Sequence, residues 1–197
     1  LLLLAMISFS AVSYASSDFS YATFAGGCFW CMEAVFEEKD GVVEVISGFT
    51  GGEVVNPGYK EVASGKTKHV EAVKVKYDPK QVSYADLLAL YWQQINPTDR
   101  GGQFVDRGKQ YITAIFYHNQ QQKELAQQSK KILDDANVFS WDIVTKIKVA
   151  QEFYQAEEKH QDYYKKRPIS YKFYSLRSGR KKYLKKTWTE AKLKYLE

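Results

Sequence analysis

The pattern of hydrophobic and polar positions along the chain predicts a mixed α+β fold. Residues 20–25 are typical of a strand, Gly26-Gly27 interrupts it, and apolar side chains recur at helical spacing over residues 28–38. Further strands are predicted at residues 41–50, 66–77, 110–118 and 143–150, and further helices at residues 83–94, 120–136 and 155–166. The first six elements follow the order β-α-β-β-α-β. This is the order of a ferredoxin-like split β-α-β two-layer sandwich, here with added C-terminal helix and strand elements.

Length and composition agree with this fold class. The 197 residues are 45% hydrophobic and 26% charged, which is typical of a folded globular protein. These values exclude a disordered chain, a collagen-like fibre and a polytopic membrane protein. No linker or low-complexity stretch divides residues 16–197, so we expect a single domain there, and we expect a monomer.

The first 15 residues have the features of a targeting segment. Residues 1–12 are apolar apart from Ser8 and Ser10, a run that is too short to span a bilayer but suits the core of a signal peptide. Ser13 and Ala15 are small residues at the two positions that a signal peptidase reads. We therefore predict a signal peptide over residues 1–15 and export to the bacterial periplasm or the medium, with no stable membrane insertion after cleavage. If this segment belongs to the fold instead, the protein is cytoplasmic.

Charge is distributed unevenly along the chain. The net charge is +5, but residues 165–197 hold 12 of the 28 Lys and Arg residues and only 2 of the 23 Asp and Glu residues. Such a basic C-terminal extension could bind nucleic acid or an anionic surface. Aromatic side chains interleave the charges, among them Tyr171, Tyr174 and Trp188, which favours packing onto the rest of the domain. We therefore expect no nucleic-acid partner.

The strongest chemical signal is the run Gly26-Gly27-Cys28-Phe29-Trp30-Cys31-Met32-Glu33. The glycines allow a sharp turn that leaves Cys28 at the N-terminus of a helix, where the helix dipole and free amides should lower the pKa of its thiol. Cys31 lies in the same first turn, so the two thiols are favoured as a redox pair over two structural cysteines. A metal site would need further ligands from His69, His118 and His160, whose spacing does not support one.

Two further stretches carry polar groups suited to catalysis. In the strand predicted around residues 69–77, Glu71 shares a face with Val73 and Val75, and burial there would keep its carboxyl protonated, as a general acid requires. The alternative is a glutamate at a strand end that reaches solvent or pairs with a lysine. Residues 96–111 form a loop rich in Gly, Asp and Gln, where polar groups can converge, although a solvent-exposed connection would have the same composition.

Together these stretches resemble the peptide methionine sulfoxide reductase A family, in the subgroup that carries CFWC. The resemblance spans residues 21–188. Its landmarks are GCFWCME at residues 27–33, NPGY at 56–59, SG at 64–65, HVE at 69–71, YDP at 77–79, NPT at 96–98, DRG at 106–108 and AEEKHQ at 156–161.

The resemblance implies thiol-dependent reduction of methionine (S)-sulfoxide, in proteins and as the free amino acid, and hence repair of oxidised proteins. Cys28 would attack the sulfoxide sulfur as a thiolate while Glu71 protonates the oxygen. Many members recycle through distant C-terminal cysteines, but these 197 residues hold only two cysteines, so Cys31 would resolve the sulfenic acid as a disulfide. An external dithiol such as thioredoxin would then reduce that disulfide. No metal or organic cofactor is expected.

The resemblance also implies the substrate contacts. Phe29 and Trp30 would form the pocket for the methyl group of the substrate. Tyr59 and Tyr111 would hold the sulfoxide oxygen, and Asp106 would line the site. Two other classes of protein explain less of the sequence. A dithiol oxidoreductase of thioredoxin type would need a proline loop facing the CxxC and gives the buried acid no role, and a binding module that uses the basic C-terminus leaves the cysteines unexplained.

Overall fold

A computed structural model of the protein describes residues 19–196, so the predicted signal peptide lies outside the described residues. The strands are β1 (Ser20–Gly26), β2 (Val42–Thr50), β3 (Val70–Tyr77), β4 (Gly102–Gln103), β5 (Asp106–Arg107), β6 (Thr113–Tyr117), β7 (Lys146–Val149) and β8 (Phe153–Gln155). The helices are α1 (Phe29–Glu37), α2 (Tyr59–Ala63), α3 (Tyr84–Trp92), α4 (Gln120–Asp135), α5 (Tyr163–Lys166), α6 (Pro168–Arg177), α7 (Arg180–Thr187) and α8 (Glu190–Leu193). Short 3-10 turns lie at Lys109–Tyr111 and Glu158–His160.

The main sheet confirms the predicted fold class. Its strand order is β7-β6-β1-β3-β2-β8, and the three pairings among the central strands β6, β1, β3 and β2 are antiparallel. Because β1 and β2 are separated by β3, the first β-α-β unit is split, which defines the ferredoxin-like sandwich. The added strands extend both edges: β7 pairs with β6 in parallel, and β8 pairs with β2 in antiparallel orientation.

The hydrophobic core fixes the position of α1 against the sheet. Phe36 of α1 stacks on Phe24 of β1 with ring centroids 5.1 Å apart, and Leu87 and Trp92 of α3 are fully buried in the same cluster. Burial of each such side chain contributes roughly 1.5–3 kcal/mol. The turn between β1 and α1 is therefore anchored at both ends. Among residues 19–196, no helix combines the length and the apolar character that crossing a membrane requires.

The helix predicted over residues 155–166 is wrong. This segment contains β8, the second 3-10 turn and the four-residue α5. Gln161 bonds the backbone N–H and C=O of Ser47, 114 residues away, and Asp162 has a left-handed φ of 52°. These tertiary bonds replace the local bonds of a helix, so the segment follows the sheet edge. The basic residues that follow form α6, α7 and α8, and they pack back on the domain: Tyr183 Oη donates to Asn96 Oδ1 at 2.9 Å, and Lys192 Nζ donates to the Val138 carbonyl at 2.7 Å.

Candidate active site

The turn after β1 places both cysteines in one helical turn. Gly27 has a φ of 83°, which favours glycine, and a Cβ at this position would lie 2.6 Å from the Cβ of Gln103. Cys28 is the N-cap residue of α1, and the backbone N–H of Cys31 donates to the Cys28 carbonyl at 3.2 Å. The two thiols are free, buried and hydrogen-bonded to each other.

Burial, and not the helix N-terminus, governs the ionisation of Cys28. Only 5% of this residue is exposed, and burial, followed by the hydrogen bond that its thiol donates to Cys31, raises the pKa of Cys28 well above its usual value. The first amide of α1, on Phe29, donates to Glu71 Oε2 at 3.0 Å and so does not donate to the Cys28 sulfur. The prediction of an easily ionised Cys28 is therefore wrong for the free site.

Cys31 carries the more acidic thiol of the pair. The hydrogen bond from Cys28 lowers the pKa of Cys31 to about 7. The positive charge of Arg180 and a hydrogen bond with Tyr171 act in the same direction, while burial opposes them. Near neutral pH the reduced site thus holds a Cys28 thiol that donates to Cys31, about half of which is ionised.

Glu71 is buried on β3, as its position in the strand predicted. It is 2% exposed, and burial raises the pKa of its carboxyl to about 8. Because Oε2 accepts the Phe29 amide, the other oxygen is left to carry the proton. The carboxyl is mostly protonated at neutral pH and can therefore donate a proton.

Seven of the eight predicted site residues line one small cleft, together with Tyr174, which the sequence did not identify. They are Cys28, Phe29, Trp30, Tyr59, Glu71, Asp106 and Tyr111. The eighth, Cys31, lies three residues after Cys28 in the first turn of α1. Six separate elements supply the lining: α1, α2, β3, β5, the first 3-10 turn and α6.

Aromatic rings and tyrosine hydroxyls both line this cleft. Phe29 and Trp30 have ring centroids 6.2 Å apart, and Trp30 stacks on Tyr163 at 3.9 Å. Burial raises the pKa of Tyr59 to about 12 and raises that of Tyr111 as well. Both hydroxyls therefore stay protonated and can donate hydrogen bonds. The cleft offers an apolar wall and polar donors a short distance apart.

Comparison with known families identifies this arrangement. The family model for peptide methionine sulfoxide reductase matches residues 20–192. The chain belongs to that family. It is 54% identical to the peptide methionine sulfoxide reductase MsrA of Bacillus licheniformis over 167 residues, covering 85% of this chain and 92% of that protein. It is 53% identical to MsrA of Listeria monocytogenes over 167 residues, covering 85% of this chain and 94% of that protein.

Solved structures of the reductase family have the same fold. Methionine sulfoxide reductase A of Corynebacterium diphtheriae superposes with a TM-score of 0.69 at 33% identity, covering 78% of this chain and 77% of that one. Mxr1 of Saccharomyces cerevisiae in reduced form superposes with a TM-score of 0.72 at 29% identity, covering 81% of this chain and 91% of that one. The protein is thus an oxidoreductase of the peptide methionine sulfoxide reductase family.

In this reductase the C-terminal segment completes the site, which sequence reasoning missed. Tyr174 Oη donates to Asp106 Oδ2, Tyr163 covers Trp30, and Arg180 lies close enough to lower the pKa of Cys31. Interleaved aromatic and basic residues were the available sign of packing, but they did not indicate which surface the segment covers.

The three histidines of the reductase lie apart. His69 accepts from the Gly52 amide at 3.1 Å, His118 bonds Thr23 Oγ1 at 2.9 Å, and His160 stacks on Tyr59 in the cleft wall at 4.2 Å. Within the described part of the chain, no three His, Cys, Asp or Glu side chains are grouped so that they could hold a metal ion.

Proposed function

We propose that this protein reduces methionine (S)-sulfoxide, in proteins and as the free amino acid, through Cys28, and that Cys31 and an external dithiol restore the enzyme. The observation that carries the proposal is the cleft in which a buried thiol, a protonated carboxyl and two protonated tyrosines surround one space. Membership of the reductase family supports the reaction class.

The cleft matches the two ends of the reacting group. The methyl group of the sulfoxide fits against the rings of Phe29 and Trp30, where apolar contact stabilises it. The sulfoxide oxygen, which is a strong acceptor, faces Tyr59 and Tyr111, and both hydroxyls are protonated donors. Binding the methyl group and the oxygen on different sides fixes the configuration at sulfur, so one epimer is preferred.

The reduction step then follows from the geometry. The Cys28 sulfur gives an electron pair to the sulfoxide sulfur while Glu71 protonates the oxygen. The oxygen is transferred to Cys28, which becomes a sulfenic acid as the sulfide leaves. Two electrons pass from Cys28 to the substrate. The proton that Cys28 loses replaces the one that Glu71 gives, so the step has no net proton change.

Cys31 resolves the sulfenic acid in this proposal. Its thiolate attacks the Cys28 sulfur, the new S–S bond forms, and the S–O bond breaks to release hydroxide, which takes up a proton as water. An external dithiol, thioredoxin or a similar protein, reduces the disulfide through a mixed disulfide and is itself oxidised. The hydrogen bond between the two thiols supports this pairing because the sulfurs are already in contact.

One coupled assay tests the proposal. Oxidation of NADPH is followed through thioredoxin reductase and thioredoxin, with the S epimer, the R epimer or no sulfoxide present. We expect consumption only with the S epimer, accompanied by one methionine for each NADPH. A further arm replaces the sulfoxide with an unrelated disulfide. Consumption there above the rate with thioredoxin alone, with no methionine formed from the S epimer, would instead indicate a general dithiol oxidoreductase.

Export remains a proposal that rests on residues 1–15. Intact mass of the protein recovered from the periplasm or the medium checks it. Recovery of a chain that still contains residues 1–15 would contradict cleavage after Ala15.

A further inference from the structure

Arg180, the first residue of α7, is a buried cation with no carboxylate in salt-bridge contact among the described residues. Only 5% of it is exposed. Its Nη1 donates to the carbonyl oxygen of Gln94, its Nη2 donates to that of Gly26 at 2.9 Å, and the guanidinium lies over the Phe104 ring at 4.8 Å. These neutral partners satisfy hydrogen bonds, but they do not balance the charge. A buried ion without a counter-charge is costly, so a nearby anion is expected.

The guanidinium lies against the turn that carries the cysteines. A Cβ on Gly27 would lie 3.3 Å from its Nη2, and its Nη1 is 3.6 Å from the sulfur of Met32. Gly27 precedes Cys28 and Met32 follows Cys31, so the positive charge adjoins the first turn of α1, and it acts on the Cys31 thiol.

The titratable groups whose charge acts on the thiol pair come from several elements packed around it. They are Cys28 and Cys31 of the α1 turn, Glu71 of β3, Asp106 of β5, Tyr171 and Tyr174 of α6, and Arg180 of α7. Arg180 is the single cation among them. Burial keeps the glutamate and both tyrosines neutral near neutral pH. Two anions then lie within range of the guanidinium: the Asp106 carboxylate, which also accepts from the Tyr174 hydroxyl, and the Cys31 thiolate. Of the two, only Cys31 loses its charge when the disulfide forms.

We propose that Arg180 is a positioning residue whose buried charge stabilises the Cys31 thiolate, so that it keeps the resolving thiol ionised and makes the Cys28–Cys31 disulfide easier to reduce. The inference rests on the proposed function in that Cys31 is the resolving thiol. Formation of the disulfide consumes the thiolate and leaves Asp106 as the remaining anion near Arg180. Reduction by a dithiol restores the thiolate: the S–S bond breaks, Cys28 leaves with one proton of the dithiol, Cys31 leaves as the thiolate, the second proton passes to solvent, and the dithiol becomes a disulfide. The cation therefore favours the reduced form.

Ionisation of Cys31 can be measured without any substrate. In a Cys28→Ser background Cys31 is the single thiol, and ultraviolet absorbance of the thiolate follows its titration. We expect Arg180→Met to reduce the thiolate fraction near pH 7 about tenfold, and Arg180→Lys, which keeps the charge, to stay within about threefold of the parent. Arg177→Met is the matched control, because Arg177 is an exposed arginine on the neighbouring helix and should leave the titration unchanged.

The disulfide equilibrium gives an independent readout in the two-cysteine protein. The protein is equilibrated with reduced and oxidised dithiothreitol. The ratio of disulfide to reduced protein at equilibrium should be about tenfold higher in Arg180→Met than in the parent or in Arg180→Lys. A purely structural role would move neither the titration nor this equilibrium in a charge-dependent way.

Two results would overturn the inference. One is a folded Arg180→Met protein with the parent's thiolate fraction and disulfide equilibrium. The other is an Arg180→Lys protein whose thiolate fraction falls as far as that expected for Arg180→Met. This would show that the hydrogen bonds to the Gln94 and Gly26 carbonyls matter and that the charge does not. If Arg180→Met does not fold, Arg180→Gln takes its place, because glutamine keeps hydrogen-bond donors and removes the charge, and the same loss of thiolate is expected. Neither measurement uses a sulfoxide, so a failure to form methionine bears on the proposed function and leaves this test intact.

Discussion

Replacement of Glu71 by glutamine separates its catalytic role from its structural one. Glutamine keeps the size of the side chain and can still accept the Phe29 amide bond of 3.0 Å, but it cannot transfer a proton. With a pKa of about 8, the wild-type carboxyl is roughly 90% protonated near pH 7. Because general acid catalysis is typically worth about 10²–10⁴ in rate, the reduction step in Glu71→Gln should fall by about that factor near pH 7.

The difference in rate between the wild type and Glu71→Gln should decrease as pH rises. Near pH 9 only about 10% of the wild-type Glu71 would remain protonated, so the advantage of the wild type over Glu71→Gln should shrink about tenfold between pH 7 and pH 9. Ionisation of Cys28 works in the opposite direction and increases its nucleophilicity as pH rises. The wild-type rate should therefore rise to about pH 8 and level off above it, while the variant's rate should continue to rise.

A single-turnover assay measures the step directly. Reduced enzyme in excess is mixed with methionine (S)-sulfoxide without an external reductant, and methionine is quantified over time across the pH range. Glu44→Gln is the matched control, because Glu44 is an exposed glutamate on the adjacent strand β2 and its replacement should leave the rate unchanged. A Glu71→Gln enzyme that stays within a few-fold of the wild type at every pH would refute the role of Glu71 as proton donor.

Three further substitutions test the thiols and the stability of the site. Cys28→Ser should abolish even one stoichiometric turnover, since no second thiol lines the cleft; methionine formed in that assay would exclude Cys28 as the nucleophile. Cys31→Ser should form one equivalent of methionine, and turnover should then stop even when thioredoxin is present. Dimedone should label the sulfenic acid of Cys28 in this variant. Undiminished thioredoxin-dependent turnover would exclude Cys31 from the mechanism. Glu33 is fully buried and its Oε1 accepts the Asp162 amide at 3.1 Å, and burial raises its pKa to about 7. Since the folded form holds this proton more tightly, the contribution of Glu33 to stability should be fully present below about pH 4.5 and should be lost, by about 3 kcal/mol, as pH rises through 7. Urea unfolding of Glu33→Gln should lack this loss, and equal slopes in both proteins would contradict the assignment.

Local features of the sequence determined the framework of the site. The pair Gly26-Gly27 required a turn with a positive φ, and the helical spacing that follows placed Cys28 and Cys31 in one turn. Alternation along β3 placed Glu71 among buried residues, and the order of the elements predicted the ferredoxin-like sheet. Each of these inferences depends on residues a few positions apart, and such spacing is directly encoded in the chain.

Contacts between distant segments decided the rest. The Phe29 amide donates a hydrogen bond to Glu71, 42 residues away, so the helix N-terminus does not lower the pKa of Cys28. Tyr174 reaches Asp106 across 68 residues, and Arg180 reaches Gly26 across 154. The helix predicted over residues 155–166 fails for the same reason, because the backbone of Gln155 and Ala156 pairs with β2 and the Gln161 side chain bonds the backbone of Ser47. The ionisation of a group depends on burial and on charges a few ångströms away in space, and those neighbours exist only once the chain has folded.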